Sequence, residues 1–360
     1  MNRNLLPLKE QIRSDKFLLN ASDLDEARQE ADAKADQVIE YVMEGQLKDY
    51  LYAAFGAKSF DEVAALTNRA PILAAFFLED NELPEWANKD KLEIATELFR
   101  NNGNEFLFML GIVSLPYCYA ASKGALSLYH TEKIRKNTEA RLLDTTSFIV
   151  DIMQKDALTQ DGKGYLVIKQ VRLRHALARY YLQKIPEIVD LNEKPINQED
   201  MAGTNLAFSY VALREMPKIG VKISTGIQDA YIHFWSVIGH LLGLKTSLLP
   251  NNIREAFLLE KKISKRHFSP SDEGQELTKQ LINHYKENIP NKATITLINP
   301  LIRHLLGREV SQIIGLRQAG SFYPADYLMT LLPAFKKFIF PPVQSFDKIA
   351  DQIEQRKLAS

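Results

Sequence analysis

The sequence has little cysteine and no excess of charge. Cys118 is the single cysteine in 360 residues, so an intrachain disulfide and a cysteine-based zinc site are both excluded. The 45 basic residues are balanced by 45 acidic residues, so no net charge favours binding to nucleic acid or to an anionic membrane. The G-x-S-x-G, P-loop and G-x-G-x-x-G patterns are missing, which argues against a classical hydrolase or phosphate-binding protein.

Long apolar runs are also scarce. The uncharged stretch 106–122 contains Pro116 and is shorter than the about 20 apolar residues that a membrane span needs. The first residues lack the apolar core and cleavage site of a signal peptide. We therefore expect no transmembrane span and a cytoplasmic location, with peripheral membrane contact left open.

Apolar residues recur at helical spacing along most of the chain, and no period-2 alternation is sustained long enough for a sheet. The hydrophobic share of 46% and the charged share of 25% are typical of a globular protein. The pattern predicts an all-α fold in one compact multi-helical body. It includes one long surface helix from Ser22 to Val42 and a buried helix over 106–115.

One helical segment, 171–180, carries a histidine between arginines. Arg172, His175 and Arg179 stand at i, i+3 and i+7 and share one helix face. Ala176 and Ala178 add little bulk beside the imidazole. A flat cofactor could approach this face closely, with guanidinium groups available for its acidic edge. Taken alone, a satisfied structural histidine is the commoner interpretation.

A second helix supplies a matching face. Arg141 and Thr145 stand at i and i+4, and only a short polar loop separates their helix from that of His175. The two helices are therefore expected to be neighbours that could enclose one ligand. Elsewhere, His233 and His240 are weaker alternative metal ligands, and Glu199 and Asp200 are expected to cap a helix start.

These residues resemble a known family. The pattern Arg141-x-x-x-Thr145 followed by Arg172-x-x-His175-x-x-x-Arg179 is similar to the haem-binding signature of the rubber oxygenases (latex-clearing proteins), which is shared with the fungal oxygenase of mycophenolic acid biosynthesis. Two further motifs follow in the family's order. They are Asn197 to Thr204 with Phe208 and Ser209, and Tyr231-x-x-x-Trp235-x-x-x-Gly239-x-x-x-Gly243.

The resemblance implies a globin-like, haem-sandwiching core and a haem b-dependent oxygenase. His175 would be the iron ligand, Arg172 and Arg179 would meet haem propionates or add positive field, and Arg141 and Thr145 would bind haem and act in catalysis. The partners would be dioxygen and an apolar, unsaturated substrate such as an isoprenoid or lipid. We expect a helical extension over 1–90, the haem domain over 91–320 and a helical tail over 321–360.

One position departs from the family. Rubber-cleaving members carry a lysine just before the threonine, where this chain has Asp144. The departure argues against a lysine-capped closed state and against polyisoprene as the substrate. Asp144 is expected to pair with Arg141. Two other hypotheses remain open: a non-enzymatic haem or apolar-ligand carrier on the same scaffold, and a cofactor-free helical interaction protein.

Overall fold

The computed structural model describes residues 19–66, 68–131, 138–159, 162–289 and 295–316. Helices make up the regular structure in these ranges, and the one extended pairing within them is an isolated antiparallel bridge between Ala121 and Phe268. The predicted all-α fold is therefore confirmed. The expected tail, 321–360, lies outside the described residues.

The first five helices form an N-terminal layer. They are α1, Ala21–Arg28; α2, Ala33–Glu44; α3, Lys48–Gly56; α4, Phe60–Ala64; and α5, Pro71–Leu78. The expected single helix from Ser22 to Val42 is wrong, because the chain breaks after Arg28. The Asp32 side chain accepts a hydrogen bond from the Ala35 backbone N–H and starts α2 as its N-cap. A capping aspartate stabilises a new helix start here.

Two α–π–α segments run through the centre of the molecule. In the first, α6 (Lys89–Met109) continues through a π-helix, π1 (Leu110–Ser114), into α7 (Leu115–Tyr119). In the second, α12 (Gln198–Leu206) continues through π2 (Ala207–Val211) into α13 (Ala212–Glu215). The Ser114 hydroxyl donates a hydrogen bond to the Ala207 carbonyl oxygen at 2.7 Å. The expected buried helix over 106–115 is confirmed.

The helices of the predicted site form a hairpin. They are α9 (Thr138–Ile152) and α10 (Lys163–Leu182), which pack against each other. Their connection passes so close to Ala157 that a Cβ at Gly164 would lie 2.4 Å from the Ala157 carbonyl oxygen. Glycine is required there, because any side chain would displace the turn.

The remaining helices enclose this centre. They are α8, Ser122–His130; α11, Pro186–Val189; α14, Thr225–Leu241; α15, Ile253–His267; α16, Asp272–Asn288; α17, Ile298–Leu306; and α18, Arg308–Ile313. Helix α14 packs along α6. Among the described helices, none combines the length and the apolar character required to cross a bilayer.

Helix α10 lies between two hydrophobic clusters. Val167 and Ile168 contribute to the main core, which is built largely from α6, the π-helices and α14. Leu173 and Ala176 belong instead to a smaller cluster with the apolar side of α2 and α5. The helix that carries His175 is therefore held from both sides, which fixes the direction in which its polar face points.

Candidate functional site

His175 is a half-buried residue in the second half of α10, and its Nδ1 atom is buried without a hydrogen-bond partner among the described residues. Burial, together with the positive charges of Arg179 and Arg141, lowers the pKa of His175 to about 3, while Asp32 acts against this shift. The imidazole is therefore neutral at physiological pH. A neutral imidazole is the form that binds a metal ion.

Arg172 is paired with the N-terminal layer. Its Nε and Nη2 atoms donate hydrogen bonds to the two carboxylate oxygens of Asp32, at 2.7 Å and 2.9 Å. The Asp32 side chain is only 5% exposed, and the guanidinium group also lies over the Phe76 ring at 5.2 Å. This bidentate pair connects α10 to the start of α2.

Arg179 makes a second connection to the same helix. Its Nε atom donates to Asp36 Oδ1 at 2.7 Å, and its Nη1 atom donates to the Ile196 carbonyl oxygen at 3.3 Å. The side chain is fully buried, with 1% exposure. Burial raises the pKa of Asp36, although the charge of Arg179 opposes that shift. Both arginines that flank His175 thus have carboxylate partners on α2.

Arg141 differs from those two arginines. It is half-buried on α9, and its guanidinium group has no hydrogen bond or ion pair with a described residue. Its charge nevertheless affects the pKa values of His175, Tyr119 and Cys118, so it lies among these side chains. Arg141 therefore differs from Arg172 and Arg179, which have carboxylate partners among the described residues.

Thr145 and Asp144 occupy the same turn of α9. The Thr145 hydroxyl donates to the Arg141 carbonyl oxygen at 2.9 Å, which leaves its lone pairs able to accept. Burial lowers the pKa of Arg174, and the Asp144 carboxylate acts against that shift. Asp144 is therefore close to Arg174 of α10. Arg141, Asp144 and Thr145 lie within about one turn of α9, and among them Arg141 is the residue whose charge affects the pKa of His175.

The later motifs of the sequence have structural roles. Asn197 caps α12 by accepting from the Asp200 backbone N–H at 2.9 Å, which confirms the expected helix start. Glu199 is instead fully buried, 2.8 Å from Arg266 and 2.9 Å from His267. At Gly243, with φ of +90°, a Cβ would lie 2.7 Å from Asp32 Oδ2. The glycine therefore makes room for the carboxylate that binds Arg172.

His233 and His240 do not form a metal site. The His233 Nε2 atom accepts from the Asn88 backbone N–H at 2.9 Å, and the Trp86 ring lies 5.7 Å from each histidine ring. In the described part of the chain, no cluster of three or more His, Cys, Asp or Glu side chains could hold a metal ion. Burial also raises the pKa of the Cys118 thiol to about 12, as expected for a packed residue.

The residues around His175 fit haem as a ligand. A neutral imidazole could ligate haem iron, and Arg141, whose guanidinium group has no hydrogen bond or ion pair with a described residue, could supply a positive charge for a propionate. Sequence reasoning missed Asp32 and Asp36, which pair with the flanking arginines. Their four-residue spacing on an amphipathic helix was the available signal, but it is typical of many solvated helix faces.

Comparison with known proteins gives three matches. The family model described as "ER-bound oxygenase mpaB/B'/Rubber oxygenase, catalytic domain" matches residues 107–334. The rubber oxygenase of Streptomyces sp. (strain K30) is 26% identical over 279 residues, which cover 75% of this chain and 67% of the relative. The solved latex clearing protein in the closed state aligns with a TM-score of 0.72 at 24% identity, covering 91% of this chain and 90% of that chain.

The matched span contains all five predicted site residues, whereas Asp32 and Asp36 precede it. The structural likeness to the latex clearing protein supports the all-α fold. It extends over the N-terminal layer as well, since it covers more of the chain than the family model does.

Proposed function

The chain belongs to the ER-bound oxygenase mpaB/B' and rubber oxygenase family, and on that basis we propose that it is a haem b-dependent oxygenase of an apolar, unsaturated substrate. Family membership confirms the resemblance seen in the sequence and supports an oxygenase. The haem, the substrate class and the roles of individual residues are our proposal.

His175 carries this proposal. A histidine whose pKa falls to about 3 stays neutral beside two arginines, and its buried Nδ1 atom has no partner among the described residues. Such an environment is costly for a purely structural residue, because a buried polar atom is left without a hydrogen bond. A ring nitrogen without a partner among the described residues would be satisfied if a ligand such as haem iron bound it.

The remaining residues would divide the work of binding. His175 would hold haem iron, and Arg141 would pair with an acidic group of the porphyrin. Thr145 would accept or relay a hydrogen bond on the facing helix. When bound, haem would supply the iron centre that activates dioxygen for addition to a carbon–carbon double bond.

Arg172 and Arg179 would contribute indirectly. Their hydrogen bonds go to Asp32 and Asp36, so their proposed part is to fix the orientation of α10. The positive charge of Arg179 would also help to keep His175 neutral. Asp32 and Asp36 partly compensate this charge. The binding roles that the resemblance implies for these arginines stay predictions.

The relatives are named for rubber and latex. For this chain we propose a smaller isoprenoid or lipid substrate, because Asp144 replaces the lysine of the rubber-cleaving pattern. A cytoplasmic location with peripheral membrane contact would give access to such molecules and stays a prediction.

A haem-binding assay tests the proposal. Protein expressed with added haem precursor should show a Soret band, and His175→Ala should lose it. His240→Ala is the matched control, because His240 is also partly exposed with a buried, unpartnered Nδ1. Haem binding that persists in His175→Ala but fails in His240→Ala would overturn the assignment.

Incubation of haem-loaded protein with unsaturated isoprenoids and oxygen separates an oxygenase from a carrier, since only the oxygenase forms carbonyl products.

A further inference from the structure

A small cavity lies where the two π-helices meet. Its volume is about 10 Å³, which is room for about one water-sized group. Six of the residues that line it are Phe106, Ser114, Ile149, Phe208, Tyr231 and Trp235. The walls are therefore mainly aromatic and apolar, and they come from α6, both π-helices, α9 and α14.

The cavity lies one helical turn along α9 from Thr145 of the candidate haem site. Arg141, Thr145 and Ile149 stand at i, i+4 and i+8 on α9, and Ile149 forms part of the cavity wall. From Thr145 to Ile149 the axial rise is about 6 Å, at about 1.5 Å per residue. A molecule bound over Thr145 would thus reach the cavity with one end.

The cavity wall contains one hydrogen-bond donor without a partner. Trp235 is 2% exposed, and its indole Nε1 is buried with no hydrogen bond to a described residue. Burial raises the pKa of the Tyr231 hydroxyl and the neighbouring Trp235 acts against that shift, so the two groups lie close together, but no hydrogen bond of regular geometry joins the indole Nε1 to the hydroxyl. Ser114 already donates to the Ala207 carbonyl oxygen. Buried indole N–H groups usually have a partner, so this one is available to a ligand acceptor.

We propose that this cavity is the inner end of the substrate pocket, and that Trp235 donates a hydrogen bond to an oxygen atom at one end of the substrate. The inference rests on the proposed function and specifies its substrate class. The substrate is an unsaturated chain that ends in a hydroxyl or carbonyl group, rather than a plain hydrocarbon. The paired π-helices agree with this role, because π-helices occur frequently at functional sites.

Binding of two matched probes tests the proposal. The probes are farnesol and the hydrocarbon that lacks its hydroxyl group, and binding is followed on the purified protein without turnover. One hydrogen bond from Trp235 should make farnesol bind about tenfold more tightly than the hydrocarbon. Trp235→Phe should abolish this preference and leave hydrocarbon affinity nearly unchanged. Trp86→Phe, at the half-exposed second tryptophan, should keep the preference.

The control variant gives an independent readout. The chain has two tryptophans, so the fluorescence of Trp86→Phe protein reports on Trp235 alone, and farnesol should shift its emission while the hydrocarbon should not. Ala212→Val narrows the cavity without altering the indole and should also lose the preference, which covers the case that Trp235→Phe does not fold. Equal affinities for farnesol and the hydrocarbon would overturn the proposal. An unchanged Trp235 emission would also overturn it, because the indole would then contact only a trapped water. A missing Soret band with the preference intact would instead contradict the haem assignment alone.

Discussion

The carboxylate of Asp32 accepts two hydrogen bonds from Arg172, at 2.7 Å and 2.9 Å. Asp32 is also the N-cap of α2, and Gly243 at the end of α14 lies directly against it. A single buried carboxylate thus positions the start of one helix, the end of a second and the arginine face of a third. That third helix carries His175, so the N-terminal layer is part of the site's support.

Removal of this carboxylate should destabilise the protein. Asp32→Asn should lower the free energy of unfolding by about 3 kcal/mol, because Arg172 keeps its charge in a largely buried position after losing its partner. Urea unfolding of the haem-free protein measures the change. Asp80→Asn breaks the ion pair with Lys34, in which both side chains are exposed, and should change stability by less than about 0.5 kcal/mol. Similar losses in both variants would argue against a special role for Asp32.

Acid should destabilise the haem-free protein through His175. The pKa of His175 falls from 6.5 to about 3 on folding, so the unfolded chain binds a proton in a range where the folded chain does not. Protonation of the unfolded chain therefore lowers the free energy of unfolding as pH falls from about 6.5 toward 3. The loss is at most about 1.4 kcal/mol per pH unit.

Urea unfolding at pH 7 and pH 5 tests this linkage. The wild type should lose up to about 2 kcal/mol more stability than His175→Gln over that interval, because the glutamine variant cannot bind the proton. His304→Gln serves as a comparison at a second half-buried histidine, on α17, where burial and Lys218 lower the pKa and Glu215 acts against that shift. The prediction fails if His175→Gln retains the wild-type pH dependence.

Periodicity in the sequence was enough to predict the fold class. The helices of the site were placed correctly because their faces repeat every three to four residues, and the hairpin of α9 and α10 followed from a short loop. The break at Asp32 was missed because apolar residues on both sides of it continue the same helical stripe. The π-helices were missed because their residues, such as Leu110 to Ser114, have no distinct pattern.

The partners of the site residues could not be predicted in the same way. Arg172 and Arg179 pair with side chains more than a hundred residues earlier in the chain, and nothing local distinguishes a paired arginine from a free one. From the sequence alone the three arginines are equivalent. The structure separates them into two that pair with carboxylates of α2 and one, Arg141, whose guanidinium group makes no hydrogen bond or ion pair with a described residue.

The turn before α10 should tolerate no side chain. In Gly164→Ala, the added Cβ would lie 2.4 Å from the Ala157 carbonyl oxygen and 2.9 Å from its carbon, so the backbone must move. We expect a loss of about 2 kcal/mol or more in unfolding free energy, together with weaker haem binding because the register of α10 against α9 changes. Gly124→Ala is the control, since its Cβ would meet its nearest neighbour at 3.8 Å. A small effect at both positions would show that the turn can adapt.

Truncation of Arg141 should weaken haem binding and spare stability, whereas truncation of Arg172 should mainly reduce stability. The Arg141 guanidinium group has no hydrogen bond or ion pair with a described residue. Its positive charge disfavours the charged forms of His175 and Arg174 and so lowers their pKa values. Arg141→Ala should therefore leave the stability of the haem-free protein within about 0.5 kcal/mol of wild type but weaken haem binding about tenfold or more, since it removes a charge-assisted contact. Arg172→Ala should cost about 2–3 kcal/mol in stability, because Asp32 is left buried without its partner. Urea unfolding and haem titration measure the unfolding free energy and the haem affinity of each variant.

If Arg141→Ala proved as destabilising as Arg172→Ala while binding haem normally, Arg141 would be a structural residue.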